Sequence, residues 1–241
     1  MQSDTSGPYF RVERLHLRQW ALRAVLPLAA LATNGSGWID LAGLPAWDAP
    51  LAGLASDARS AVAAACWAAG AALVATSAWL RVCAKGVLVR KTTVTTSGAY
   101  GLVRHPFYLA NLIGAVGVFV VAGPLGAAIG AAWLAAAIPV YLVTVGGEES
   151  GLRREHGAAW DAYAARVPRL LPVRPSWGDG ARITWTNLVT EGEPPRGLRF
   201  VASAALVAAA RLGGPAATWT AAAAAVAWAS SLALARASRR R

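Results

Sequence analysis

Two short polar clusters set against apolar runs are the parts of this 241-residue sequence that could do chemistry. The first, in GAYGLVRHPFYLA, holds Arg104, His105, Pro106 and Tyr108. The second, in VGGEESGL, holds the adjacent carboxylates Glu148 and Glu149. Neighbouring carboxylates at the end of an apolar helix repel each other and the helix's negative end, so their placement calls for a cation nearby. The imidazole of His105 offers both a donor and an acceptor. Each residue also has an ordinary reading. The glutamates would pair with Arg153 or Arg104 at the surface, and Arg104 would be a snorkelling anchor. Pro106 suits a helix's first turn, and Tyr108 would belong to an aromatic belt.

The elements that must position these clusters are apolar. Six segments stand out: Trp20 to Thr33, Ser60 to Leu80, Phe107 to Gly123, Leu125 to Val145, Leu198 to Leu212 and Ala216 to Ala235. The second, fourth and sixth reach the ~20 residues that a bilayer core requires, while the first, third and fifth are short, so five or six spans are expected. Segments three and four are separated only by Gly123 and Pro124, which predicts an antiparallel hairpin. Its open ends bring Arg104, His105, Pro106 and Tyr108 to the level of Glu148 and Glu149, about forty residues further along the chain.

Composition supports a membrane location. The chain is 56% hydrophobic and only 15% charged, against roughly a quarter charged for ordinary soluble domains. The segments are rich in alanine and glycine, which let helices pack closely. The net charge of +11 does not indicate nucleic acid, because the basic residues lie between apolar segments and form no soluble basic face. Their distribution gives orientation instead. Residues 34–58 hold no Lys or Arg, whereas basic residues cluster after segments two, four and six, which predicts both termini on the cytoplasmic side of a bacterial inner membrane. Arg11, Arg14, Arg18 and Arg23 before VLPLAALA also resemble the front of a signal peptide, but Pro27 interrupts the apolar core and the leader is long. Cys66 and Cys83 are too far apart to pair along one helix, and no Cys/His cluster suggests a metal.

Beyond Glu149 the run GEESGLRREHGAAWDAYAARVPRLLP reads as an amphipathic helix ended by Pro168. Leu152, Ala159, Trp160, Tyr163 and Val167 form its apolar stripe, opposite Arg153, Arg154, Asp161 and Arg166. Four regions result: membrane helices over 1–95, a core over 96–172, a cytoplasmic loop over 173–197, and a helical hairpin with a basic tail over 198–241.

The order SGAYGLVRHPFYLA, apolar hairpin, GGEESGL, AYAARVPRLLP resembles the isoprenylcysteine carboxyl methyltransferase and phospholipid N-methyltransferase superfamily. The resemblance spans Thr96 to Pro172. It implies an all-α polytopic membrane enzyme that uses S-adenosylmethionine in a cytoplasmic pocket, with a lipid-embedded or small hydrophobic methyl acceptor. Carried over by position, Tyr100, His105, Pro106 and Tyr108 would contact or shape the cofactor site, and Glu148 and Glu149 would bind its cationic portion. Arg104 would orient an acidic group of substrate or cofactor, so Arg104 and Glu149 are the expected catalytic pair, with no metal. Ala99, Ala110, His156 and Trp160 depart from the family's usual residues. Two rivals stand beside this expectation: an NADPH-dependent membrane reductase, whose relatives carry a similar Arg-His-Pro motif, and a non-enzymatic scaffold or transport component. The paired glutamates disfavour the first, and the lack of charges deep in the segments disfavours the second.

Overall fold

Glycine and alanine let the central helices of this chain meet almost backbone to backbone. The structure, a computed structural model, describes residues 24–25, 28–29, 53–88, 93–173, 176–180, 183, 193–212, 219–227 and 229–230. These are helical apart from connecting segments, and among them no strand occurs; one isolated backbone bridge joins Gly98 and Gly178. The elements are α1 (Ser56–Val87), α2 (Ala99–Leu102), α3 (Pro106–Val121), α4 (Pro124–His156), α5 (Ala158–Arg166) and α6 (Glu193–Leu212).

Helices α1 and α4, of 32 and 33 residues, are long and apolar enough to cross a membrane. Within their most apolar stretches only 17% and 33% of residues are buried, whereas the core helix of a soluble protein would be mostly covered. Val82 on α1 and Ile138, Leu142 and Val143 on α4 are exposed. Helix α3 is shorter, and 11 of its 16 residues are buried.

The hairpin is formed. Ala122 caps the end of α3, Gly123 precedes α4 as its N-cap, and Pro124 opens α4 at its first turn, where a missing N–H costs nothing. Helix α3 lies between α4 and α1, and α6 crosses both α1 and α3. At the α1–α3 crossing a Cβ added to Gly70 would sit 2.7 Å from Val121 N and 2.8 Å from Gly117 O, and one added to Gly117 would sit 2.9 Å from Gly70 O. Only glycine permits this approach. One turn pair further along, Ser77 Oγ donates to the Ala110 carbonyl at 2.6 Å, a buried bond that pins the register. Tyr141, Phe119, Val118 and Val145 are fully buried between α3 and α4.

Three boundaries differ from the sequence expectation. Helix α1 continues past Leu80 to Val87, with Arg81 and Lys85 buried at its end. Helix α4 does not stop at Val145; it runs through Gly146 and Gly147 to His156, because the Glu and Arg residues that follow are good helix formers and no proline intervenes. The expected amphipathic helix is therefore split, its first part belonging to α4 and its second to α5. Gly157, at φ 53 and ψ −127, makes the break, in a region that residues with a Cβ rarely enter. Helix α6 starts within the expected loop, at Glu193, where Pro194 and Pro195 suit a first turn. The first and last apolar segments lie mostly outside the described residues; 24–25, 28–29, 219–227 and 229–230 are helical.

Candidate functional site

The buried face of α4 decides which glutamate does what. Gly126, Gly130, Trp133, Ala137, Tyr141, Val145 and Glu149 are buried at intervals of three and four, so the helix's inner stripe runs directly into Glu149. Glu148, about 100° around, falls at the rim. Their side chains are 9% and 47% exposed, respectively.

Opposite this face, the chain before α3 is extended at Val103 and turns at His105, the residue that precedes α3. Pro106 starts α3 and is fully buried. This local geometry aims Arg104, His105 and Tyr108 at α4. His105 Nε2 lies 3.1 Å from Glu149 Oε1, and Arg104 Nη1 lies 3.3 Å from the same oxygen. The other oxygen, Oε2, accepts from Arg169 Nη2 at 2.6 Å and from Arg169 Nε at 3.0 Å. Tyr108 Oη donates to Glu148 Oε1, and His105 Nδ1 is 3.9 Å from Glu148 Oε2. Tyr108 also meets Tyr141 edge-on, with centroids 5.2 Å apart.

Glu149 lies past the apolar stretch of α4. Burial would raise its pKa, but hydrogen bonds from His105 and Arg169 and the charges of Arg104 and Arg169 outweigh that and hold the carboxyl down at about 2. An ionised carboxylate can only accept, so His105 carries its proton on Nε2 in this arrangement. Both oxygens of Glu149 are thus engaged by the chain's own donors.

The closing run after α5 forms the site's third wall. Arg104 N donates to the Pro168 carbonyl at 2.8 Å and His105 N to the Arg169 carbonyl at 3.3 Å, so two consecutive backbone bonds clamp 104–105 to 168–169. Tyr163 Oη donates to the Tyr100 carbonyl at 2.8 Å. Burial foremost pushes the Tyr163 phenol well above its ordinary range; Arg104 opposes this and Glu149 adds to it, and the hydroxyl remains a donor. Trp160 packs edge-on against Tyr163, and these two are the buried part of the predicted apolar stripe; Ala159 is exposed.

The structure therefore brings together Arg104, His105, Tyr108, Glu148 and Glu149, which the sequence had singled out. Pro106 supports them from the start of α3, and Tyr100 joins through its carbonyl. Arg169 and Tyr141 had not been assigned to the site. Tyr141 was detectable as the residue two turns before Glu149 on the same α4 face, whereas Arg169 carried no signal beyond its place in the closing run. Among the described residues no group of His, Cys, Asp or Glu could hold a metal ion.

Arg104 Nε is buried without a hydrogen-bond partner among the described residues. A buried N–H left so costs about 1–3 kcal/mol, and because protein atoms cover this one, a ligand would meet the guanidinium only at its remaining exposed edge. Glu148 at the rim offers the opposite charge. Arg104 and Glu148 both border the His105–Glu149 pair, and a guanidinium and a carboxylate in one cluster offer both signs to a ligand such as the α-amino and α-carboxylate groups of an amino acid. No protein-family model, curated protein or solved structure matches the chain.

Proposed function

We propose that the chain is an integral membrane methyltransferase that uses S-adenosylmethionine to methylate a lipid-embedded or small hydrophobic acceptor through a carboxylate, amine or thiol. In this reading five or six helices span a bacterial inner membrane, both termini are cytoplasmic, and the site lies at the cytoplasmic surface. The observation that carries it is the gathering, at one end of the α3–α4 hairpin, of the Arg104 guanidinium with the carboxylate of Glu149 and, at the rim, that of Glu148. It is supported by the order of motifs over Thr96 to Pro172.

S-adenosylmethionine supplies, when bound, a methyl group that a nucleophile takes in line with the sulfur. Arg104 would hold the ligand's carboxylate and Glu148 its ammonium. Glu149 acts one step back: it fixes Arg104, His105 and Arg169 relative to one another, so it positions the site. This narrows the expectation that both glutamates contact the cation. Tyr108 holds Glu148 in place, and the 168–169 segment fixes Arg104 and His105 through their backbone bonds. No acid–base group need act on the donor, because placement of nucleophile, methyl and sulfur supplies most of the rate.

The test is methyl incorporation. Proteoliposomes containing the protein, a lipid extract and methyl-labelled S-adenosylmethionine should yield label in organic-extractable material. Arg104→Ala should lower this at least tenfold per mole of folded protein, a loss of about 1.4 kcal/mol in the transition state. Loss of folded protein instead would return Arg104 to the role of anchor, and NADPH oxidation without methyl incorporation would favour a reductase.

A further inference from the structure

The segment between α5 and α6 carries large apolar side chains in the open. Leu171 is 67% exposed, Val173 74%, Ile183 52% and Trp177 40%. A loop in water would not place four of its apolar residues outward within so short a stretch, and scattered single exposures do not explain it. The same stretch is basic: Arg166 and Arg169 lead into it, and the sequence adds Arg174 and Arg182.

This segment is firmly attached at two points. Gly178 exchanges two backbone hydrogen bonds with Gly98, at 2.9 and 3.0 Å, so it clips onto the loop that leads to Arg104. The fit is tight: a Cβ at Gly101 would lie 2.2 Å from Gly178 N, and one at Gly178 would lie 2.2 Å from Thr96 O. Trp177 stacks at a tilt on Trp79, with centroids 5.5 Å apart. Trp79 is itself 55% exposed on α1, at the end of that helix's bare apolar face, and Val82 one turn on is exposed as well. The outward apolar surface of a candidate spanning helix thus meets the strap at the Trp79–Trp177 contact.

From this geometry we infer that residues 170–173, 176–180 and 183 belong to an interfacial strap, which lies in the headgroup region of an anionic bilayer and seats the site at the membrane surface. Exposed Leu, Val, Ile and Trp enter the acyl boundary, and the basic sequence of the segment favours an anionic interface, as in amphipathic segments that bind such surfaces. Tryptophan at the level of Trp79 and Trp177 is the side chain that prefers this depth. Because the strap is clipped to Gly98, the Arg104–Glu149 cluster is held just beneath the headgroups, where a lipid-borne acceptor would reach it. The inference rests on the membrane placement proposed above and is independent of the methyl donor.

A nitroxide label measures the depth directly. With Cys66 and Cys83 replaced by Ala, labels would be placed singly at Leu171→Cys, Val173→Cys, Asp179→Cys and Val143→Cys. The protein would be reconstituted in vesicles of phosphatidylcholine and phosphatidylglycerol, and collisions with oxygen, which concentrates in lipid, compared with collisions with a water-soluble nickel chelate. The labels at 171 and 173 should show an oxygen-to-chelate ratio about threefold above that at 179, approaching that at 143 on α4. In phosphatidylcholine alone the ratio at 173 should fall. Chelate collisions at 171 and 173 equal to those at 179 would place the strap in water and overturn the inference. Low collisions with both reagents would mean that a second copy or another protein covers the strap, which overturns it equally. Water-like collisions at 143 as well would overturn the membrane placement on which the strap depends, whereas failure of methyl transfer would leave these ratios unchanged.

Discussion

The middle of the α1–α3–α4 bundle and its polar end are held together by opposite means. In the middle, Gly70 and Gly117 bring two backbones together, Ser77 adds one buried hydrogen bond, and no ion pair is found among the described residues. At the end, a single carboxylate, Glu149, gathers Arg104, His105 and Arg169 from two other parts of the chain. Tight apolar packing tolerates almost no added volume but is indifferent to pH. The charged cluster tolerates changes of shape better, yet it depends on Glu149 keeping its charge.

Substitutions should separate the two regimes. The largest effect is expected in the middle: Gly70→Val would drive side-chain atoms into the Val121 and Gly117 backbone, costing at least the upper end of the ~1–3 kcal/mol typical of overpacking. Folded yield and thermal unfolding in detergent would report it, and a near-normal yield would mean that the helices do not cross there. Next comes Glu149→Gln, which leaves Arg104 and Arg169 without their counter-charge and should cost about 2–3 kcal/mol, measured by the same unfolding experiment. Arg169→Ala should lose part of that.

A pH series sharpens the contrast. Glu149 has its folded pKa depressed from an ordinary 4.5 to about 2, so its contribution is fully present above the unfolded value and is lost as pH falls from about 4.5 towards about 2. Thermal stability should drop over that window in the wild type and less steeply in Glu149→Gln. Equal slopes would show that other groups govern acid unfolding. Smallest of all, Arg153→Ala should change stability by less than about 0.5 kcal/mol, because its ion pair with Asp161 at 2.8 Å is exposed on both sides.

The parts of this arrangement that were legible in the sequence are the local ones. Gly123 and Pro124 between two apolar runs leave room only for a reversal, and a reversal at that point runs the second helix back along the first towards Arg104, His105 and Tyr108. The phase of the α4 stripe also follows from spacing, once the helix is allowed to run through Gly146 and Gly147. That continuation was missed because two glycines next to a polar run look like a terminus, although the following residues restore helix propensity. Arg169 and the Gly98–Gly178 clip were not legible. Both depend on how the chain after α5 folds back across the loop before α3, a non-local pairing that no periodicity records.

The central claim is that the rim of this cluster binds a ligand carrying both charges, and titration calorimetry on the purified protein in lipid nanodiscs tests it most directly. Saturable binding of S-adenosylmethionine is predicted, weakened about tenfold, or about 1.4 kcal/mol, by Glu148→Gln, a variant whose folding stability should stay within about 0.5 kcal/mol of the wild type. Binding of NADPH without binding of S-adenosylmethionine, or equal affinity in Glu148→Gln, would contradict it.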